Sequence, residues 1–372
     1  LINVNVDVKG AAFAAPLTNL CAIFFLSYLA SEVIMIRFLS EWKDYPNAIV
    51  DEKTTNETAI KYAGILHAMG IKNYYFHLAL LQPELQGINP HDPNLTNVIR
   101  FKIQQECRYN PWYYLRECVM APPVSGTEPD RLRINRANMA LWFCYLNHVP
   151  IGLEQIRQTG KTFNKDVKNV WVLYIAGRNV TISAVTKDDD LRLKGIARIK
   201  GIRDYLPQYL IPYTKKDKDN QTQIGCAAYN NEYSIAVAQA SKPEANKVGR
   251  GHTSADRDGD EVAFVKNFHH MLPAMQGAAG EAERKAKANE QPHGEILCTT
   301  SGDLSTEEGR FIFNLFNSGM RWDEHLLDCE NEAHFVEVIK SNARAKKQKE
   351  GKNLREARVF IYASFNHTQL GY

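Results

Sequence analysis

The chain has 372 residues, 44% hydrophobic and 23% charged, with a formal net charge of +3. That length holds one large domain or two to three small ones, and so small a basic excess does not by itself single out a nucleic-acid partner. Seven scattered cysteines, odd in number and without a CxxC pair, exclude a disulfide framework and a zinc site, and are read as buried, reduced thiols.

Residues 20–39 form the most apolar stretch and match a bilayer in length, but Glu32 and Arg37 fall inside it. Each is costly in lipid and no basic start precedes them, so a buried or amphipathic helix is expected rather than a membrane span or signal peptide. Residues 20 to about 147 read as mostly helical, with turn clusters at 89–93 and 122–129 and a last helix over 135–147 that stops before Pro150. Beyond it the texture changes. Strands are expected over 150–156, 180–185 and 295–298, helices over 191–206 and 306–318, a hairpin or strand pair within 227–238, and an apolar run over 170–176. Residues 215–222 and 277–293 are polar and are expected to be loops. Strands alternating with helices predict an α/β core whose mainly parallel central sheet is flanked by helices. The expected organisation is a mostly helical N-terminal region (1–134), a core (135–330) and a basic segment (331–372), in which residues 340–358 hold eight Lys/Arg against two Glu.

The strongest local signal is Gln155-Ile-Arg-Gln-Thr-Gly-Lys-Thr162. A polyphosphate needs inward-facing backbone N–H groups, a lysine for the β/γ-phosphates and a hydroxyl for Mg²⁺, which Gly160, Lys161 and Thr162 supply at the expected start of a helix. The general pattern has Gly where this chain has Gln155. About a hundred residues on, Asp260 and Glu261 open the run Asp260-Glu261-Val-Ala-Phe-Val265. Adjacent acids at a strand end suit ATP hydrolysis, one serving Mg²⁺ and the other the attacking water. The preceding Ser254-Ala-Asp-Arg-Asp-Gly259 is too polar for an ordinary buried strand, so a short, shifted or irregular strand is expected there.

Arg157-Gln-Thr-Gly-Lys-Thr162 resembles the glycine-poor Walker A loop of phage large terminases, the ATP-driven DNA-packaging motors of tailed bacteriophages. Thr186-Lys187 with the helix ending at Leu206-Pro207, the run Ala240–Ala245 through Arg250-Gly251 to Asp260-Glu261, and Leu297-Cys-Thr-Thr-Ser301 are similar to that family's later motifs, in the same order. The resemblance covers residues 150–320 and departs in the polar approach to Asp260 and in Ser301, where the family often has Pro. It implies a P-loop NTPase core that takes ATP and Mg²⁺. Gln155, Ile156, Arg157, Gln158, Thr159, Gly160, Lys161 and Thr162 would form the phosphate loop, and Thr162 and Asp260 would serve the metal. Glu261 would be the catalytic carboxylate, Arg157 and Arg250 the charge-stabilising arginines, and Thr299 and Thr300 the coupling pair. Asn138, or Asn135, would read adenine. The partners implied are double-stranded DNA gripped without regard to sequence, the portal protein, the small terminase subunit and further copies in a ring, with a monomer in isolation, in the host cytoplasm and with no membrane. Lys187, Arg192 and Lys194 stand where the family's core helix faces DNA or another subunit. About seventy residues follow Thr300, too few for the family's nuclease domain, whose cutting activity is therefore not expected here. The alternatives are another P-loop nucleic-acid motor such as a helicase, or a DNA- or capsid-binding module whose ATP site has decayed.

Overall fold

The computed structural model describes residues 35–122, 128–156, 159–238, 241–251, 254–349 and 359–365, with backbone alone for 248–251. Residues 1–35 form a unit of their own, and the described residues fall almost wholly in the second unit, 36–372. Most of the apolar stretch 20–39 lies outside the described residues, among which no helix is long and apolar enough to cross a membrane.

The centre is an eight-stranded sheet. In chain order its strands are β1 (Ile151–Gln155), β2 (Thr181–Thr186), β3 (Gln223–Cys226), β4 (Asn231–Val237), β5 (Asp256–Asp260), β6 (Gly294–Thr299), β7 (Met320–Arg321) and β8 (Ile361–Phe365). Their spatial order is β7-β8-β1-β6-β5-β2-β4-β3, parallel throughout except for the β3–β4 hairpin. The strand before the phosphate loop, β1, is thus separated from the acid-bearing β5 by β6 alone. This is the α/β arrangement of a P-loop NTPase core, with helices on both faces as parallel sheets require. The sheet continues past residue 330, because β8 pairs with β1 along its whole length from Ile361 opposite Ile151 to Phe365 opposite Gln155.

Nine helices matter here: α1 (Glu57–Ala68), α2 (Asn97–Tyr109), α3 (Arg136–Leu146), α4 (Lys161–Trp171), α5 (Asp189–Tyr205), α6 (Lys242–Gly251), α7 (Phe268–Ala288), α8 (Glu307–Ser318) and α9 (Glu332–Lys349). Among the described residues before α3, 3₁₀ and π turns and two short strand pairs separate α1, α2 and α3. This region is tied to the core by the Trp171 indole donating to Cys107 O and the Tyr114 hydroxyl donating to Val167 O. The apolar run 170–176 is the end of α4 and a π turn, Val172–Ala176. Residues 277–288, expected as loop, belong to the 21-residue α7. Its Ala, Glu, Lys and Arg favour helix, and Met271, Leu272, Met275 and Ala279 bury one stripe against the core. All six cysteines among the described residues are buried and free.

Candidate active site

Gly160 precedes α4 in the left-handed region, φ 83° and ψ 7°, where glycine carries no Cβ penalty. Its carbonyl accepts from Asn164 N at 2.9 Å, so the helix starts at once and leaves its first N–H groups facing the loop. Lys161 is nearly buried and its Nζ lies 3.2 Å from Glu261 Oε1. The Thr162 hydroxyl donates to Asp260 Oδ1 at 3.1 Å, and the Thr159 hydroxyl to Ile156 O at 2.8 Å. Gln155 is buried at the end of β1 and its amide has no hydrogen-bond partner among the described residues, whereas Ile156 is exposed. Arg157 and Gln158 lie outside the described residues. Arg250 lies in the last turn of α6, and its side chain is outside them too.

The polar approach to Asp260 is neither short nor irregular. β5 is a regular five-residue strand in the middle of the sheet, paired with β6 on one side and β2 on the other. The reason lies in α4, whose Lys161, Lys165 and Lys168 fall at helical spacing on one face while Asp256, Asp258 and Asp260 fall at strand spacing on one face. Lys168 Nζ donates to Asp256 Oδ1 at 2.8 Å and to Asp258 Oδ1 at 3.0 Å, and the Tyr145 hydroxyl takes the other Asp256 oxygen at 2.6 Å. On the opposite face Arg257 meets Glu295 at 3.3 Å and Glu283 at 2.7 Å. Each buried charge on the strand therefore has a counter-charge, the condition for burying it at all. Gly259 is required, because a Cβ there would come within 2.3 Å of Val262 Cγ1.

At the end of β5, burial pushes the Asp260 carboxyl above the ordinary aspartate range. Half-burial would do the same to Glu261, but the Thr300 N–H and hydroxyl and the Lys161 ammonium outweigh it and hold that carboxyl below the ordinary glutamate range. Thr300 donates to Glu261 Oε2 from its backbone at 3.1 Å and from its side chain at 2.9 Å. The Thr299 hydroxyl accepts from Ala263 N at 3.2 Å, so Thr299 and Thr300 both grip the turn that carries Glu261. Glu261 itself sits in the left-handed region, φ 52° and ψ 43°, an uncommon conformation for a side-chain-bearing residue.

Lys161, Thr162, Asp260, Glu261, Thr299 and Thr300 thus converge at the C-terminal ends of adjacent strands. Asn138 does not join them. It is fully buried in the first turn of α3, its Oδ1 accepting from Asn135 N and its Nδ2 donating to Arg133 O. Both halves of its amide are used by a capping box, and Asn135 caps the same helix through Ala137 N and Asn138 N. These bonds fit the capping reading of both asparagines. Arg198 of α5 was not singled out by the sequence, yet it donates to Asp166 Oδ2 at 2.5 Å and stands 3.9 Å from Asp260 Oδ2. Lys187, Arg192 and Lys194 each pair with the adjacent acids Asp188, Asp189 and Asp190.

No protein-family model and no curated protein sequence matches the chain. The solved structures that match include phage large terminases. The HK97 large terminase is 15% identical over 66% of this chain and 53% of its own, with a TM-score of 0.33. That of a thermophilic bacteriophage is 11% identical over 62% and 45%, with a TM-score of 0.35. The large terminase ATPase domain of a Thermus phage is 11% identical over 50% and 71%, with a TM-score of 0.32. The chain spans about half the length of the first two. Likeness this distant transfers no residue roles, which come from the geometry above.

Proposed function

We propose that the chain is the ATPase portion of a phage large terminase, hydrolysing ATP to move double-stranded viral DNA into a capsid. The observation that carries the ATPase reading is the single cluster formed by Lys161, Thr162, Asp260, Glu261 and Thr300, drawn from three separate strand ends. The packaging role is supported by the order of the four terminase-like motifs along residues 150–320.

The residues present fit Mg²⁺ and ATP. A threonine hydroxyl and a carboxylate 3.1 Å apart are hard oxygen donors of the kind Mg²⁺ takes. Bound there, the ion would supply neutralisation of phosphate charge. The free N–H groups at the start of α4 and the Lys161 ammonium bind the phosphates. Lys161 must leave Glu261 to do so, which releases one carboxylate oxygen and removes one cause of its low pKa. Thr300 keeps hold of the other oxygen, so Glu261 is ionised, oriented, and able to align the attacking water and accept its proton. Arg157, by its place in the phosphate loop, would stabilise charge in its own site, and Arg250 would do so in a neighbour's.

Turnover of MgATP is the test. Lys161→Ala should abolish nucleotide binding, whereas Glu261→Gln should bind ATP and lose turnover. Equal turnover in wild type and Glu261→Gln would remove Glu261 from its role.

A further inference from the structure

At the end of β6 three consecutive hydroxyl residues reach three different partners. Thr299 holds the turn after Glu261, Thr300 holds Glu261 itself, and the Ser301 hydroxyl donates to Glu154 Oε1 at 2.5 Å. Tyr362 of β8 donates to the other oxygen, Glu154 Oε2, also at 2.5 Å. Glu154 lies opposite Thr299 on one neighbouring strand and Ser364 on the other. The pairing of β6 with β1 ends at that Thr299–Glu154 step, and its pairing with β5 ends one residue earlier, at Cys298. Past that point Thr300 is held to Glu261 on one side, and the Ser301–Glu154 bond holds the next residue on the other. Glu154 has no ion-pair partner among the described residues, and the cavity beside it, about 390 Å³ between the strand ends and α8, leaves the clasp open on that side.

We infer that Glu154, braced by Tyr362, is a positioning residue for the ATPase reaction: through Ser301 it fixes the Thr300 peptide whose N–H aims the catalytic Glu261. This rests on the ATPase reading above. The physical argument is one of anchorage. Thr300 can orient Glu261 only as well as its own peptide is held. Thr299 holds that peptide from the acid side and Ser301 from the far side, on the strand that leads into the phosphate loop. Hydroxyl-to-carboxylate bonds are charge-assisted and geometrically demanding, so they suit this task. The clasp touches neither phosphate nor metal, so its loss should spoil the aim of Glu261 and spare nucleotide affinity.

The test is steady-state MgATP turnover with this chain, together with the affinity for a non-hydrolysable ATP analogue. Ser301→Ala and Glu154→Gln should each lower kcat about ten-fold, while KM and analogue affinity stay within about two-fold. Ser301→Thr, which restores the hydroxyl, should recover most of the rate. Because Glu154→Gln leaves one acceptor oxygen for two hydroxyl donors and Ser301→Ala removes one of those donors, both act on the same clasp, and the double variant should lie within about two-fold of the slower single. Tyr362→Phe should have a smaller effect in the same direction. Wild-type kcat in Ser301→Ala overturns the inference, as do multiplied losses in the double variant or a fall in analogue affinity equal to the fall in kcat. Should Glu154→Gln fail to fold, Ser301→Ala on its exposed loop decides alone. A wild-type chain with no turnover defeats the ATPase reading and this inference with it. A working wild type matched by Ser301→Ala defeats only the clasp.

Discussion

Replacing Lys168 with Met keeps the aliphatic stem and removes the ammonium that two buried carboxylates share. Lys168, Asp256 and Asp258 are all essentially inaccessible to solvent. Without the lysine, two carboxylates on one face of β5 stand roughly 6–7 Å apart and repel by about 2–3 kcal/mol at an effective dielectric near 20. Each also loses a charge-assisted hydrogen bond, and the Tyr145 hydroxyl on Asp256 offsets only part of that. Relaxation and protonation reduce the sum, so the expected loss is about 3–5 kcal/mol, the usual consequence of breaking a buried pair by removing one partner. Urea unfolding followed by circular dichroism reads this as a shift of the midpoint. The reasoning requires a second result: in the Lys168→Met background, Asp256→Asn with Asp258→Asn should restore most of the stability, because no uncompensated charge then remains. A Lys168→Met protein within about 1 kcal/mol of wild type, or no recovery on neutralising the aspartates, would refute the account of why so polar a strand is buried.

Glu106 is buried on the inner face of α2 with its carboxyl pushed up to about 7 by desolvation, although Asn110 and the Leu81 and Gln82 N–H groups donate to it. A raised folded-state pKa contributes stability fully present below the unfolded value and lost as pH rises through 7, so Glu106→Gln should gain on wild type between about pH 4.5 and 7 by up to a few kcal/mol; parallel unfolding curves across that range would show the burial argument to be wrong. DNA binding should be weak, indifferent to sequence and reduced by salt with a log–log slope of about −0.9 per phosphate neutralised; tight binding to one sequence, or binding that survives high salt, counts against a translocating motor. For the arginines, mixing Arg250→Ala subunits with Glu261→Gln subunits in an assembled ring should restore some turnover, and mixing Arg157→Ala with Glu261→Gln should not; the opposite pattern would exchange the two roles.

The sequence by itself determined the elements that depend on local chemistry. Gly160-Lys161-Thr162 at the expected start of a helix points to a phosphate loop, and short apolar runs within 150–156, 180–185 and 295–298 with helices among them point to a parallel sheet. Helix propensity could have recovered α7, since the Ala-, Glu- and Lys-rich residues taken for loop are strong helix formers. Tertiary structure decided what depends on partners far apart in the chain. Asp256-Arg-Asp-Gly-Asp260 reads as too polar for an ordinary buried strand until the lysines of α4, about ninety residues earlier, are laid against it. Burial of a charge is settled by its counter-charge and not by its own hydropathy. Glu154, Ser301 and Tyr362 are separated by 147 and 208 residues and meet only because parallel pairing brings β6 and β8 to either side of β1. Spacing within one helix or strand is written in the chain, whereas strand order is a property of the folded sheet, and the two contacts of Glu154 depend on strand order.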